Sequence, residues 1–165
     1  REARRRGRGI GELTYKTGMR TIKYIVVHAT GGSQRTTIKA LMMEFARLDW
    51  KAPGYHYVVH VDGRITQLLS EEKVSNGVKG YNHMLINVAY IGGLDAKGKY
   101  ADTRTAEQKE ALRKLLGMLH KKYPAAEIRG HRDFSPDLNH NGIIEPWEFI
   151  KACPCFDAKK EYKDI

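Results

Sequence analysis

His131, in the segment IRGH, and Cys153, in KACPCFD, are the residues of this chain best suited to chemistry. A neutral imidazole and a thiolate are good zinc ligands, but a zinc site needs at least one more donor. His28 offers one, at the end of the apolar run IKYIVVH. Two histidines and a thiolate make a three-ligand set, which in catalytic zinc sites leaves a fourth position for water. Zinc held in this way lowers the pKa of that water toward about 7. Spacing alone does not join the three residues, which lie far apart in sequence, and three unrelated side chains remain the competing reading. The chain has two cysteines, Cys153 and Cys155, in a C-x-C arrangement. Residues so close seldom meet disulfide geometry comfortably, so they read as thiols or as a ligand.

Between His131 and Cys153 runs DLNHNGIIEPWEF. Asp137-x-Asn139-x-Asn141-Gly142-x5-Glu148 matches the calcium loop of an EF-hand, with Ile143 contributing its backbone carbonyl and Glu145 at the ninth position. Only Asp137 is a carboxylate among the first three liganding positions, which predicts weak affinity, about 0.1–1 mM. A plain Asn/Gly turn with Glu148 in a first helical turn is the alternative. No helix precedes the loop, whereas a short helix from Pro146 to Lys151 is expected after it.

The elements that must position these residues follow from pattern. Ile22–His28 is a β-branched strand running into the loop ATGGS. Thr36–Trp50 carries Ile38, Leu41, Met42, Phe45 and Leu48 at helical spacing. Tyr55–Leu69 reads as a hairpin with Asp62-Gly63 as a two-residue turn. Alternation there puts Tyr55 with Tyr57 and Val59, opposite His56, Val58 and His60. Residues 76–83 (NGVKGYNH) are a polar loop, and Leu85–Ile91 is a further strand. Thr105–Tyr123 is the clearest helix, opened by a Thr105/Gln108 capping box. Glu127–His131 is a last short strand, so two strands end in histidine. Strands interleaved with two long helices predict one α/β domain with a central mixed sheet flanked by helices.

Composition sets wider limits. The chain has 165 residues, 41% hydrophobic and 29% charged, which is ordinary globular usage. No apolar run approaches the roughly 20 residues of a membrane span, and no secretory signal is seen. The formal charge is +10. Residues 1–18 are rich in Arg and Gly and read as a basic arm ahead of a domain over 19–165. A basic surface suits any anionic polymer. Without a nucleic-acid motif, charge is the only support for a nucleic-acid partner, which is not expected.

The segments VVHATGG, PGYHYVVHVDG, KGYNH with INVAYIGGLD, IRGH and KACPCFD occur in this order. In that combination the chain, from about Ile22 to Tyr162, resembles the zinc-dependent N-acetylmuramoyl-L-alanine amidases of type 2. These share the peptidoglycan-recognition-protein fold, and the likeness is strongest to the phage lysozymes that are amidases. The resemblance implies that His28, His131 and Cys153 hold zinc, that Tyr55 and Lys151 are catalytic, and that His83 contacts substrate. It further implies action on bacterial peptidoglycan at the bond between N-acetylmuramic acid and L-alanine. With no secretory signal seen, a monomer made in the cytoplasm is expected to reach the wall by phage-type release or another export route. A non-catalytic peptidoglycan-binding module of the same fold is the alternative. The calcium-like loop departs from the compact phage enzymes, where the connection is much shorter.

Overall fold

A computed structural model describes residues 20–165. The basic arm at 1–18 lies outside the described residues.

Two six-residue strands form the middle of the molecule. β1 (Tyr24–Ala29) and β4 (Leu85–Tyr90) are almost wholly buried. Their near-continuous apolar sequences suit parallel strands covered on both faces. They pair in parallel with Tyr24 opposite Leu85 and Ala29 opposite Tyr90. β5 (Glu127–Gly130) joins the far side of β1 in parallel. β2 (Tyr57–Val59) joins β4 in parallel, and β3 (Ile65–Gln67) closes the edge antiparallel to β2. The sheet order is β3-β2-β4-β1-β5. The chain is thus one domain with a mixed central sheet flanked by helices, as expected.

Helix α1 (Ile38–Arg47) is capped by the Thr37 side chain, which accepts from the Ala40 N–H. It begins two residues later than periodicity suggests, because Thr37 serves as the cap and not as the first turn. Helix α2 (Ala106–Lys122) starts behind Thr105, and both arms of the capping box are formed. A short α3 (Ala158–Glu161), which pattern did not reveal, lies against β5. Leu112, Leu115, Leu116 and Leu119 of α2 pack on Ile25, Val27, Ile86, Val88 and Tyr90. The other face of the sheet carries Val26, Leu85 and Val78 in one cluster, and Val58 with Leu41 and Phe45 of α1 in another.

Strand alternation therefore gives His28 and Asn87 to the face away from α2. Tyr55 lies there too, packed with the Leu41, Phe45 and Val58 cluster. The expected grouping of Tyr55 with Tyr57 and Val59 is thus corrected. β2 starts only at Tyr57, and the backbone turns at His56, which breaks the period. The hairpin closes on a three-residue loop, Val61–Gly63, because the His60 N–H bonds the Arg64 carbonyl. Gly63 at its tip has φ +87, a left-handed conformation that glycine adopts without strain.

Candidate metal centre

β1 and β5 are parallel neighbours, so the residues at their carboxyl ends meet at one edge of the sheet. His28 is the fifth residue of β1, and His131 follows β5 as the first residue of a 3-10 turn, His131–Phe134. Cys153 is brought there by two hydrogen bonds. The Ala29 N–H donates to Cys153 Sγ at 3.2 Å, and the Arg132 N–H donates to the Cys153 carbonyl at 2.8 Å. Gly130 permits this approach, since a Cβ there would lie 2.7 Å from Pro154 Cδ.

The three sequence-predicted ligands converge. One donor atom from each of His28, His131 and Cys153 lies within 4.8 Å of the others. Cys153 Sγ is 3.7 Å from His28 Nδ1. Tetrahedral zinc with ordinary Zn–S and Zn–N lengths separates such a pair by about 3.6 Å, so the donor set fits that ion. Electrostatics also favour it. Burial, with Lys151 and His131 adding to the effect, holds His28 at a pKa of about 3. Burial and Lys151 hold His131 at about 4. Both rings are therefore neutral near pH 7, with a lone pair available to a metal. Burial pushes the Cys153 thiol up to about 12, a cost that a bound cation relieves.

The expected catalytic partners flank this cluster. The Tyr55 ring lies 5.2 Å from the His28 ring, and burial followed by the Cys153 charge raises its pKa. Lys151 is exposed at the mouth of the cleft. A cavity of about 520 Å³ is lined by all five residues, with Phe45, Leu48 and Trp50 on one wall. A second lobe of about 540 Å³ runs on past Lys79, Tyr81 and Asn82. Both lobes are lined by Trp50, Asn76, Gly77, His131, Ile150 and Lys151, so they adjoin beside the candidate metal cluster. His83 is exposed and lines neither lobe, and its carbonyl accepts from Arg20 at 3.1 Å.

The Asp137–Glu148 loop is folded on itself. Asp137 accepts from the N–H groups of Asn141 (3.3 Å) and Gly142 (2.7 Å), and Asn141 Oδ1 accepts from Ile143 at 3.0 Å. The Asn139 and Asn141 amides both donate to Glu145. Glu148 is buried and accepts from the N–H groups of Leu138, Asn139 and Glu145. The expected helix from Pro146 to Lys151 is a single 3-10 turn, Pro146–Glu148. It stops because the Ile150 N–H bonds Ser135 Oγ in place of a helical carbonyl.

Behind His28 lies a polar group that pattern reading did not single out: Asn87, Ser75 and His56, all fully buried. The signal was present in LINVAY, where one polar residue interrupts a buried apolar strand and must find partners.

The family model described as N-acetylmuramoyl-L-alanine amidase matches residues 18–145. The endolysin of Enterobacteria phage T3 is 34% identical over 142 residues, covering 85% of each chain. The endolysin of Escherichia phage T7 is 35% identical over 138 residues, covering 82% of each. Among solved structures, the amidase LysCS from Clostridium intestinale superposes with a TM-score of 0.68 at 21% identity, covering 87% of this chain and 82% of that one. Bumblebee PGRP-SA does so with a TM-score of 0.61 at 15% identity, covering 87% and 81%. At such identities these two likenesses speak for the fold.

Proposed function

Because this chain belongs to the N-acetylmuramoyl-L-alanine amidase family, we propose that the zinc on which that family generally depends is held by His28, His131 and Cys153. The chain hydrolyses peptidoglycan as an N-acetylmuramoyl-L-alanine amidase, which sets aside the reading as a binding module. The observation that carries the zinc assignment is the convergence of three donor atoms within 4.8 Å inside a substrate-sized cleft. Bound there, zinc supplies Lewis acidity, lowering the pKa of water toward about 7 and polarising the scissile carbonyl.

The chain's own residues do the rest. The two lobes that adjoin beside the cluster have room for a sugar and a stem peptide. Lys151 stands at the mouth as a cation facing the space where the carbonyl oxygen gains charge. The Tyr55 phenol, kept protonated by its raised pKa, donates to the same oxygen or orients the attacking water. The phage relatives are named endolysins, and this chain is read as acting on the wall in the same manner.

Metal analysis of purified protein tests the assignment. The expected result is one zinc per chain, with Cys153→Ser losing more affinity than the roughly 10–100-fold that a merely orienting partner costs. Full zinc content in Cys153→Ser would refute it.

For the loop from Asp137 to Glu148 we propose a weak calcium site built on Asp137, Asn139, Asn141, Ile143 and Glu148. The motif supports this, as does Asp137, whose bonds to the Asn141 and Gly142 N–H groups wrap the loop around it. Glu148 would have to turn from backbone N–H groups toward the ion. Calcium at ten times Kd should stabilise the protein by about 1.4 kcal/mol. A melting temperature unchanged across millimolar calcium would remove the site.

A further inference from the structure

Every hydrogen bond in the buried group behind His28 has a direction that can be worked out. His56 Nε2 lies 2.7 Å from the Lys73 carbonyl, which can only accept, so that nitrogen carries the ring proton. Arg20 Nη2 is 3.3 Å from the same nitrogen, but it is a donor facing a donor. It is already satisfied by the carbonyls of Glu71 at 2.8 Å and Leu85 at 3.0 Å. His56 Nδ1 is then an acceptor, and it receives the Asn87 backbone N–H at 3.0 Å and Ser75 Oγ at 3.1 Å. With its proton directed at His56, Ser75 Oγ is left to accept, and the Asn87 Nδ2 amide donates to it at 2.7 Å. This arrangement makes one bond more than the turned amide would, and it points Oδ1 at His28. Oδ1 lies 2.8 Å from His28 Nε2, so His28 carries its proton on Nε2.

Gly77 leaves the amide its room, since a Cβ there would stand 2.4 Å from Asn87 Cγ and Oδ1. Turning the amide over would give up the Ser75 bond to His56. It would also place the His28 proton on Nδ1, the nitrogen that lies 3.7 Å from Cys153 Sγ.

We propose that Asn87 is a positioning residue of this enzyme, and that the relay Lys73 carbonyl–His56–Ser75–Asn87 fixes the His28 tautomer so that Nδ1 is free to bind metal. This deepens the zinc reading and rests on it. Burial raises the stake of each link, because a member left unpaired would cost more than a surface bond gains. A partner that fixes a ligand's tautomer typically changes metal affinity by about 10–100-fold.

The test begins with nitrogen-15 NMR of His28 in metal-free wild-type protein, where the relay predicts the proton on Nε2. A proton on Nδ1 overturns the proposal. Zinc affinity is then measured by chelator competition for Asn87→Asp, Asn87→Leu and Ser75→Ala. Asn87→Asp keeps an acceptor for His28 and should stay within about tenfold of wild type, whereas Asn87→Leu should fall by about 10–100-fold. Ser75→Ala should move in the same direction by less. Wild-type affinity in a cooperatively folded Asn87→Leu overturns the proposal. Should that variant not fold, the wild-type spectrum and Ser75→Ala decide. A wild type that takes up no zinc would overturn the metal assignment instead, while the metal-free spectrum still decides the relay.

Discussion

Lys151 and Tyr55 differ in how far each is tied to the fold, and this separates what their loss should do. Lys151 is exposed. Lys151→Met should leave stability within about 0.5 kcal/mol, as for most surface changes, while removing a cation from the developing oxyanion. The expected loss is about 10²–10³-fold in turnover, the amount associated with one oxyanion donor, with zinc content unchanged. Tyr55→Phe keeps the packing against Phe45 and His28 and removes only the hydroxyl, so its effect should also fall on turnover. Wild-type turnover in both variants would take them out of the catalytic set. At this scale the candidate ligands and the two candidate partners were legible because each lies in a short segment, VVH, GYH, RGH or KAC, that carries the family resemblance. Asn87, Ser75 and His56 were not, because their roles depend on which strands become neighbours. The interrupted apolar strand signals that Asn87 has a partner, but not which one.

The elements bring these residues together by parallel pairing. β1 and β5 share register through Val27 and Gly130, so the residues just past that pair, His28 and His131, emerge side by side. Periodicity located the helices to within a few residues and the strands nearly as well. It failed where a side chain competes with the backbone: Thr37 at the start of α1, Ser135 at the end of the 146–148 turn, and His56 ahead of β2. The cap on α2 gives the element-scale prediction. Thr105 Oγ1 accepts from the Gln108 N–H at 3.1 Å and donates to the Val61 carbonyl at 2.6 Å, tying α2 to the hairpin loop. Thr105→Ala should cost about 1 kcal/mol, a fall of about 2–4 °C in melting temperature for a domain of this size. A fall that small leaves the site assembled, so amidase activity should survive. An unchanged melting temperature would mean that the cap is not what starts the helix.

For the whole molecule, charge and burial set the response to pH. Burial holds His56 at a pKa of about 4, with His28 and His131 shifted the same way, against an ordinary value near 6.5. As pH falls below about 6.5, the unfolded chain takes up protons that the folded chain refuses. Stability is therefore full above that value and is lost progressively toward pH 4, at about 1.4 kcal/mol per pH unit for each such histidine. Denaturant melts between pH 7 and 4.5 check this, and a flat profile would contradict it. The mixed sheet was legible from strands alternating with two long helices, but its order was not, since nothing in a single sequence says which strands pair. Whether the whole molecule is a zinc amidase assembled from both halves of the chain is decided by one assay: release of free N-terminal L-alanine from purified peptidoglycan by protein as prepared, after chelation, and after zinc is restored. The expected result is release, its loss on chelation, and its return with zinc. No release by zinc-loaded protein on walls of several chemotypes, or full release after the metal has been removed, would contradict it.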